Sequence, residues 1–465
     1  MSIQHLQRRE FLRRSSALGL MGGAAPWALS LAGIGEAAAA NATSSAPGDY
    51  KALVCVFLAG GNDDGNTVVP YDQPSYNAYA TIRQTLAIPR DTLTDTALTP
   101  RVPLTDAARQ MALAPRLSKL KTLFDAGKMG VLLNVGTLIQ PTTLAQFKAQ
   151  SVPLPPKLFS HSDQQSTWQA SMPEGATSGW GGRIGDQFLS SNGNATFTCI
   201  NVAGNAVFMS GQQAVQYQVT TGGAVPINGV TKPLYGNQAC ADALRSLITA
   251  SNRSHWMEQE LNRVTARSIS AQTIVAGAMA GLSPLATPFD AGNSLANQLQ
   301  LVAKMIAARG TLGVSRQVFF VSLGGFDMHD LLTTNHPTQM GLLSDALSSF
   351  YKATVELGVA DQVTTFTASD FGRTLTSNGD GSDHGWGSHH FVVGGAVKGG
   401  RFWGAAPSVS VNGPDDVGQG RLLPTTGVDQ LAATLATWMG VSASELPRVL
   451  PQIGNYTQRD LGFFV

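Results

Sequence analysis

Short, largely apolar runs recur along the chain, and three of them end in loops that carry acidic residues. The runs cover residues 52–58, 129–135, 316–323 and 363–368. Apolar runs of this length are typical of strands buried on both faces, as in parallel sheets covered by helices. The pattern therefore predicts that these four runs are strands of one sheet.

Segments with the apolar spacing of helices separate these strands. Because strands and helices alternate, we expect an α/β fold, a three-layer α/β/α sandwich around a mainly parallel sheet. The predicted helices cover residues 115–124, 257–279, 295–308, 341–357 and 428–439, a further strand covers 390–393, and residues 191–235 are expected to form β-structure or an insertion.

The composition excludes several classes of protein. Of 465 residues, 43% are hydrophobic, which allows a large core and excludes global disorder. The net charge of +1 argues against nucleic-acid binding, which needs a basic surface. We expect no membrane span after the first forty residues, since the uncharged stretch at 268–289 is broken by Gly281, Pro284 and Pro288.

The N-terminal segment indicates export. Arg8 and Arg9 precede an uncharged run at 15–35 and small residues at 37–40, a pattern typical of a twin-arginine signal peptide. A membrane anchor is the alternative, but the run contains Gly, Ser and Pro and is barely long enough to span a bilayer.

This interpretation divides the chain into three parts. We expect a signal peptide over residues 1–40, a flexible mature N-terminus over 41–49 and a single domain over 50–465 with an insertion near 191–290. The signal peptide would be recognised by the twin-arginine translocase, and the mature protein would lie in the periplasm or be secreted.

The loops after the strands hold the candidate functional residues. In open α/β sheets, functional groups gather at the carboxyl ends of the strands. The strand at 52–58 is followed by Asp63, the strand at 316–323 by Asp327 and His329, and the strand at 363–368 by Asp370. A fourth loop contributes His384.

Histidine is concentrated in the same region. Five of the eight histidines lie between residues 329 and 390. Asp and His on converging loops are the ligands that zinc, manganese or a similar divalent ion takes in proteins. The metal ligands predicted from this pattern are Asp63, Asp327, His329, Asp370 and His384.

Other polar residues have more than one interpretation. Arg373 suits contact with the oxygens of a transferred group, or it forms a structural ion pair. His161 is a candidate general acid or base, or a structural hydrogen-bonding residue. The sequence leaves open whether Cys199 and Cys240 form a disulfide in an oxidising compartment.

Several motifs together resemble one family, a twin-arginine-exported domain-of-unknown-function family that is similar to the alkaline phosphatase/sulfatase superfamily. The resemblance covers nearly all of the mature chain. It is carried by LAGGNDDGNTVVPY (58–71), LFSHSDQQSTWQ (158–169), SGWGGR (178–183), GGFDMH (324–329), SDFGRT (369–374), DHGWGSHHFVVGGAVKGG (383–400) and LGFF (461–464).

The resemblance implies an alkaline-phosphatase-like sandwich with a metal site at the strand ends. It makes Asp63 the first ligand, Asp327 and His329 an Asp…His pair, Asp370 the Asp of an Asp-His pair and His384 the late His.

The resemblance also implies a nucleophile and shows a departure from the superfamily pattern. Ser160 is the best match for the nucleophile position. Phe371 stands where the superfamily has a metal-binding His, and the sulfatase Cys-x-Pro-x-Arg motif is absent from the sequence.

These features predict an exported metal-dependent hydrolase of phosphate or sulfate esters, with a small-molecule or polymer ester as substrate. Ser160 would act as nucleophile, His161 as general acid or base, and Arg373 would neutralise the transferred group. The alternative is a non-catalytic exported protein that uses a degenerate site of the same fold to bind a ligand or to assemble on the envelope.

Overall fold

The computed structural model describes residues 49–106 and 108–465, which belong to one compact unit. The predicted signal peptide at 1–40, and the predicted flexible segment at 41–49 apart from its last residue, lie outside the described residues.

The strands form one large mixed sheet and one small ladder. They are β1 (Lys51–Leu58), β2 (Val68–Pro70), β3 (Met111–Leu113), β4 (Met129–Gly136), β5 (Cys199–Asn201), β6 (Tyr217–Gln218), β7 (Arg316–Leu323), β8 (Val363–Ser369), β9 (Ser388–Gly394), β10 (Arg401–Trp403) and β11 (Thr426–Gly427). The large sheet has the order β10-β4-β9-β8-β1-β7-β5-β6, with β11 also paired to β4. Strand β9 is antiparallel to both neighbours, and the other neighbouring pairs are parallel.

Helices connect most of these strands. They are α1 (Gln73–Arg83), α2 (Ser118–Asp125), α3 (Leu144–Ala149), α4 (His161–Ala170), α5 (Trp180–Asp186), α6 (Gln238–Ile248), α7 (Trp256–Ala280), α8 (Ser294–Ala307), α9 (Arg309–Leu312), α10 (Leu332–Glu356), α11 (Val428–Met439) and α12 (Leu446–Val449). Short 3-10 helices lie at Asp64–Asn66, Gln84–Leu86, Arg90–Thr96, Pro115–Leu117, Ala195–Phe197, Val207–Met209, Ala360–Gln362 and Ile453–Asn455.

The core lies on both faces of the large sheet. Successive side chains of a strand point to opposite faces, so Val54 of β1 packs with α2, α8 and α10, whereas Cys55 packs with α5 and α11. Both faces are thus covered by helices, which explains why the central strands are apolar throughout. The predicted α/β/α sandwich around a mainly parallel sheet is confirmed.

The four predicted strands and most of the helices are confirmed, with one clear difference. Helix α10 begins at Leu332, well before the expected residue 341, and contains Pro337. Leu332, His336 and Met340, spaced four residues apart, are all buried, so packing against the segments that follow β1 and β7 extends the helix through the proline.

The region at 191–235 contributes to the large sheet only the short strands β5 and β6, which lie at one edge.

All three cysteines are free thiols, with Cys199 buried in this region and Cys240 exposed on α6. None of the helices in the described ranges combines the length and the apolar composition needed to cross a bilayer.

Candidate metal centre

Three loops meet at the carboxyl edge of the sheet because β1 lies between β7 and β8 and the three strands run parallel. The hydroxyl of Ser369, at the end of β8, donates to the last carbonyl of β1 at 2.6 Å and ties two of these strand ends together. Asp327 follows β7 and Asp370 follows β8, and both carboxylates contact the imidazole of His161.

Three imidazoles converge on the carboxylate of Asp327. Its Oδ1 lies 3.5 Å from Nε2 of His161, 3.1 Å from Nε2 of His329 and 3.4 Å from Nε2 of His384. The Nε2 atoms of His329 and His384 are 2.9 Å apart. The side chain of Asp327 is 50% exposed, so the cluster is open to solvent.

A buried carboxylate orients His161 through the Nδ1 atom of its imidazole. Its Nδ1 lies 2.6 Å from Oδ2 of Asp370, which also accepts the side-chain amide of Gln165 at 2.7 Å. The other oxygen of Asp370 accepts the backbone N–H of Gly60 at 3.1 Å. His161 and Gln165 lie four residues apart on α4 and therefore share one helix face.

The other two imidazoles are held in the same manner. Nδ1 of His329 lies 3.3 Å from Oδ1 of Asp383, an oxygen that also accepts the side-chain amide of Asn378 at 3.0 Å. Nδ1 of His384 lies 2.7 Å from the backbone carbonyl of Phe159. A carboxylate and a carbonyl can only accept, so all three imidazoles carry a proton on Nδ1 and, when neutral, present the Nε2 lone pair to the centre.

This arrangement fits a divalent cation. Donors about 2.0–2.1 Å from a tetrahedral ion lie roughly 3.3 Å from one another, and four of the six separations among these donor atoms range from 2.9 to 3.5 Å. Nε2 of His161 is buried and has no hydrogen-bond partner in the described chain. The donor atoms of His161, Asp327 and His384 lie within 4.8 Å of one another.

The local electrostatics favour the ligating forms of two of these side chains. Burial lowers the pKa of His384, so its imidazole is neutral at pH 7. Partial burial opposes ionisation of Asp327, but the hydrogen bond and charge of Arg373 outweigh it and lower the pKa of that carboxyl. The hydrogen bond that His161 donates to Asp370 raises the pKa of His161, so protons compete for its Nε2 as the pH falls.

Arg373 lies inside the protein rather than at the open face. Its side chain is 0% exposed and donates to Oδ1 of Asp327 at 3.1 Å, to the carbonyl of Gly60 at 3.0 Å and to the carbonyl of Ser382. The expectation that Arg373 contacts the transferred group does not fit this placement, because the guanidinium is enclosed by protein acceptors. It positions Asp327 instead.

Asp63 is not among the side chains that converge on Asp327. It is buried in an ion pair with Arg83, which also donates to the carbonyl of Thr374 at 3.0 Å. The neighbouring Asp64 accepts the backbone N–H of Arg373 at 3.2 Å. The structure thus places Asp63 in an ion pair rather than beside Asp327, and local spacing in the sequence could not show this partner, twenty residues along the chain.

Ser160 and Phe371 border the centre. The Ser160 hydroxyl donates to Oδ2 of Asp163 at 2.9 Å, and Ser160 lies between Phe159, which holds His384, and His161. The ring of Phe371 packs 4.8 Å from that of His161, at a position where the superfamily pattern has a ligand.

Four contributions were not predicted from the sequence: the Phe159 carbonyl, the Gln165 amide, the Asp383 carboxylate and the Arg421 guanidinium. Nε of Arg421 donates to the His384 carbonyl at 2.8 Å, and the guanidinium lies 4.5 Å from the centre of the Phe159 ring. The four-residue spacing of His161 and Gln165 on one helix was the one available signal for Gln165. No motif marks Arg421.

Comparison with known proteins gives a family and a set of distant structural neighbours. A family model described as "Protein of unknown function (DUF1501)" matches residues 50–447. The search of the curated proteins found no match.

The similar solved structures include a sulfatase, PsFucS1 from Pseudoalteromonas sp., at 10% identity and a TM-score of 0.36, covering 90% of this chain and 72% of that chain. The lipoteichoic acid synthase LtaP from Listeria monocytogenes is 7% identical with a TM-score of 0.32, covering 89% and 78%. The alkaline phosphatase of the Antarctic bacterium TAB5 is 9% identical with a TM-score of 0.27, covering 74% and 90%.

Proposed function

This chain belongs to the DUF1501 family of proteins of unknown function, and we propose that it is an exported, metal-dependent hydrolase of phosphate or sulfate esters. The observation that carries the proposal is the convergence of three Nε2 lone pairs on Oδ1 of Asp327 at a solvent-open edge of the sheet. Two lone pairs held 2.9 Å apart repel each other unless a cation or a shared proton lies between them.

His161, Asp327, His329 and His384 would hold the ion, and zinc or manganese suits this set of nitrogen and oxygen donors. When bound, such an ion polarises a phosphoryl or sulfuryl oxygen and lowers the pKa of a hydroxyl or water.

The surrounding residues keep the donors in place. Asp370 and Asp383 fix the imidazoles of His161 and His329, and such outer partners maintain both tautomer and ring orientation. Arg373 keeps the Asp327 carboxylate ionised and directed at the centre.

Two side chains at the rim would act on the substrate. Ser160 is the proposed nucleophile, and the Asp163 carboxylate, which already accepts its hydroxyl, is placed to take the proton. Arg421 would bind the anionic group: one hydrogen bond, from Nε, holds its guanidinium within the described chain, so the terminal nitrogens can donate to a substrate oxygen.

The choice of ester substrates rests on the resemblance of the family to the alkaline phosphatase/sulfatase superfamily. Export is supported by Arg8 and Arg9 with the small residues that follow the uncharged run. Mass spectrometry of the exported protein should give an N-terminus near Asn41, whereas retention of the chain in the cytoplasm contradicts this part of the proposal.

Metal analysis and an ester panel test the function directly. Protein purified without chelator should contain stoichiometric metal and should hydrolyse a phosphomonoester, a phosphodiester or a sulfate ester of p-nitrophenol when zinc or manganese is supplied. The variants Asp327→Ala and His384→Ala should lose both metal and hydrolysis. The control His255→Ala changes an exposed imidazole that caps α7 and should retain both.

The possible negative results differ in meaning. Stoichiometric metal without turnover of any ester class contradicts the hydrolase and favours the non-catalytic ligand-binding or envelope protein. Protein that takes up no divalent ion contradicts the metal centre itself.

A further inference from the structure

A cavity of about 280 Å³ lies between the start of α10 and the segments at 86–89 and 114–116. We call it the α10 cavity. None of the four proposed metal ligands lines it, and most of its lining residues are apolar, including Ile88, Pro115 and Leu332. Pockets for drug-sized ligands have volumes of roughly 300–1,000 Å³. The α10 cavity therefore suits a smaller molecule, such as one aromatic ring with a short side chain.

A buried imidazole forms part of the cavity wall. His336 is 2% exposed, and its Nε2 lies 3.3 Å from Oδ1 of Asn62 and 3.4 Å from the hydroxyl oxygen of Thr67. The Thr67 hydroxyl donates its own proton to the carbonyl of Asp63 at 2.7 Å. The contact with Asn62 therefore uses a proton on Nε2, which leaves a lone pair on Nδ1. Burial lowers the pKa of His336 to about 4, so the imidazole is neutral at pH 7 and keeps this lone pair.

The protein supplies no donor for this lone pair. Nδ1 of His336 forms no hydrogen bond within the described residues, and the side chain meets little else than protein and the cavity. Pro337, which also lines the cavity, has no N–H, so the carbonyl of Thr333 lacks its usual helical donor. Buried acceptors without a donor are uncommon in proteins. This wall of the cavity therefore favours a ligand that donates a hydrogen bond.

A cation lies where the cavity meets solvent. Arg116 lines the cavity and is exposed, and it is the one charged residue among the described residues that form the lining. Its guanidinium forms no ion pair or hydrogen bond within the described part of the chain. Because the planar guanidinium group matches the geometry of a carboxylate, Arg116 is available to bind an anionic group of a ligand.

We propose that the α10 cavity binds a small aromatic hydroxy acid, with its hydroxyl on Nδ1 of His336, its ring between the apolar walls and its carboxylate on Arg116. The three parts of such a molecule correspond to the three features of the cavity. An alkyl carboxylate would leave the His336 lone pair without a donor, and a sugar would bring many polar groups against apolar walls. The site is separate from the proposed hydrolytic centre and does not depend on it.

Isothermal titration calorimetry with 4-hydroxycinnamate tests this proposal. We expect one bound molecule per chain with a dissociation constant on the order of 0.1 mM, as its twelve or so non-hydrogen atoms allow. A carboxylate can also bind a metal ion, so the titration is repeated on the Asp327→Ala variant, which should bind with unchanged affinity. Absence of binding at about 5 mM, well above this dissociation constant, overturns the proposal, as does binding that is lost in Asp327→Ala.

A second ligand tests the hydroxyl contact without changing the protein. Cinnamate has the same ring and carboxylate but lacks the hydroxyl group, so it leaves Nδ1 of His336 unpaired. It should bind roughly tenfold more weakly than 4-hydroxycinnamate. Equal affinities for the two acids contradict the assigned role of His336.

Substitutions in the lining test the location. Arg116→Gln should weaken the binding of 4-hydroxycinnamate by roughly two- to fivefold, the usual effect of an exposed ion pair, and should not change the binding of its methyl ester. Arg245→Gln, at an exposed arginine on α6, is the matched control and should bind like wild type. An equal loss for acid and ester contradicts the carboxylate contact.

Filling the cavity gives an independent test. Ala87→Phe adds a ring at a half-buried lining residue and should abolish binding of 4-hydroxycinnamate, while an unchanged melting temperature shows that the variant is folded. A folded Ala87→Phe variant that binds with wild-type affinity overturns the site. If Ala87→Phe does not fold, Ala87→Leu, which adds a smaller side chain, takes its place with the same expected loss.

Discussion

Both oxygens of Asp370 are fully used by the protein. One accepts the N–H of Gly60, and the other receives His161 and the Gln165 amide. With its side chain 0% exposed, Asp370 reaches the centre through His161, and we propose that it is a positioning residue. The sequence predicted Asp370 as a direct ligand; its contact with His161 depends on where α4 lies.

Asp370→Asn should weaken metal binding by about 10- to 100-fold, the usual effect of removing an outer partner of a ligating imidazole. The amide of Asn can still occupy the site but no longer holds His161 by a charged hydrogen bond. Competition with a chelator of known affinity gives the change. Asp330→Asn, an exposed carboxylate next to His329, is the matched control; an equal loss in both variants argues against the positioning role.

The sequence predicted part of this centre for a clear reason. Asp327, His329 and His384 occur in loops after strands, and strand order alone brings such loops together. Asp63 and Arg373 stand in equally suggestive motifs, but their partners are set by tertiary packing: Arg83 pairs with the first, and the Ser382 and Gly60 carbonyls enclose the second. His161 was predicted as a general acid or base or as a structural hydrogen-bonding residue and not as a ligand, because nothing in the sequence shows that α4 begins beside the sheet edge.

At the scale of elements, the turn after β1 connects the sheet to the centre. Gly60 has φ +118°, and a Cβ added there would lie 2.3 Å from the backbone nitrogen of Asp327. The same residue donates to Asp370 and accepts from Arg373. The turn therefore needs a residue without a side chain at the point where the loops that carry Asp327 and Asp370 touch.

Gly60→Ala should lower the free energy of unfolding by about 2 kcal/mol or more, because the backbone conformation is strained for alanine and the β7 loop must move. The displaced loop should also weaken metal binding. Gly277→Ala in α7 is the control, since an added Cβ meets nothing within 4 Å there, and it should be neutral or slightly stabilising. Chemical denaturation with and without zinc measures both effects; an unchanged Gly60→Ala variant contradicts the role of the turn.

The elements themselves were largely predictable because buried strands and amphipathic helices have distinct apolar periods. The long strands β1, β4, β7 and β8 and helix α11 lie where the pattern placed them. The two- and three-residue strands, such as β5 and β6, have no such period, since their pairing is imposed by neighbouring strands. The early start of α10 likewise depends on packing that overrides Pro337.

At the scale of the whole molecule, a buried acid in the helical layer ties stability to pH. Asp429, in the first turn of α11, is 3% exposed, and burial raises its pKa to about 7. The nearby Ser171 hydroxyl and the charge of Arg183 oppose this effect only in part, and Tyr456 is close enough that the charge of Asp429 helps to raise its pKa. The unfolded chain has the ordinary aspartate pKa of about 3.9.

The folded protein therefore binds a proton that the unfolded chain lacks between about pH 4 and pH 7. The contribution of Asp429 to stability is complete below the lower value and is lost as the pH rises through the higher one. Asp429→Asn cannot ionise, so its free energy of unfolding should rise relative to that of wild type by on the order of 1–3 kcal/mol between about pH 5 and about pH 8. Urea denaturation across this range measures the difference. Subtracting the wild-type stability curve from that of the variant removes the titration of the metal-centre histidines, which is common to both proteins.

Asp95→Asn changes an exposed acid, and its free energy of unfolding should follow that of wild type at every pH. If the Asp429→Asn curve also parallels wild type, the buried carboxyl does not take up a proton in the folded protein.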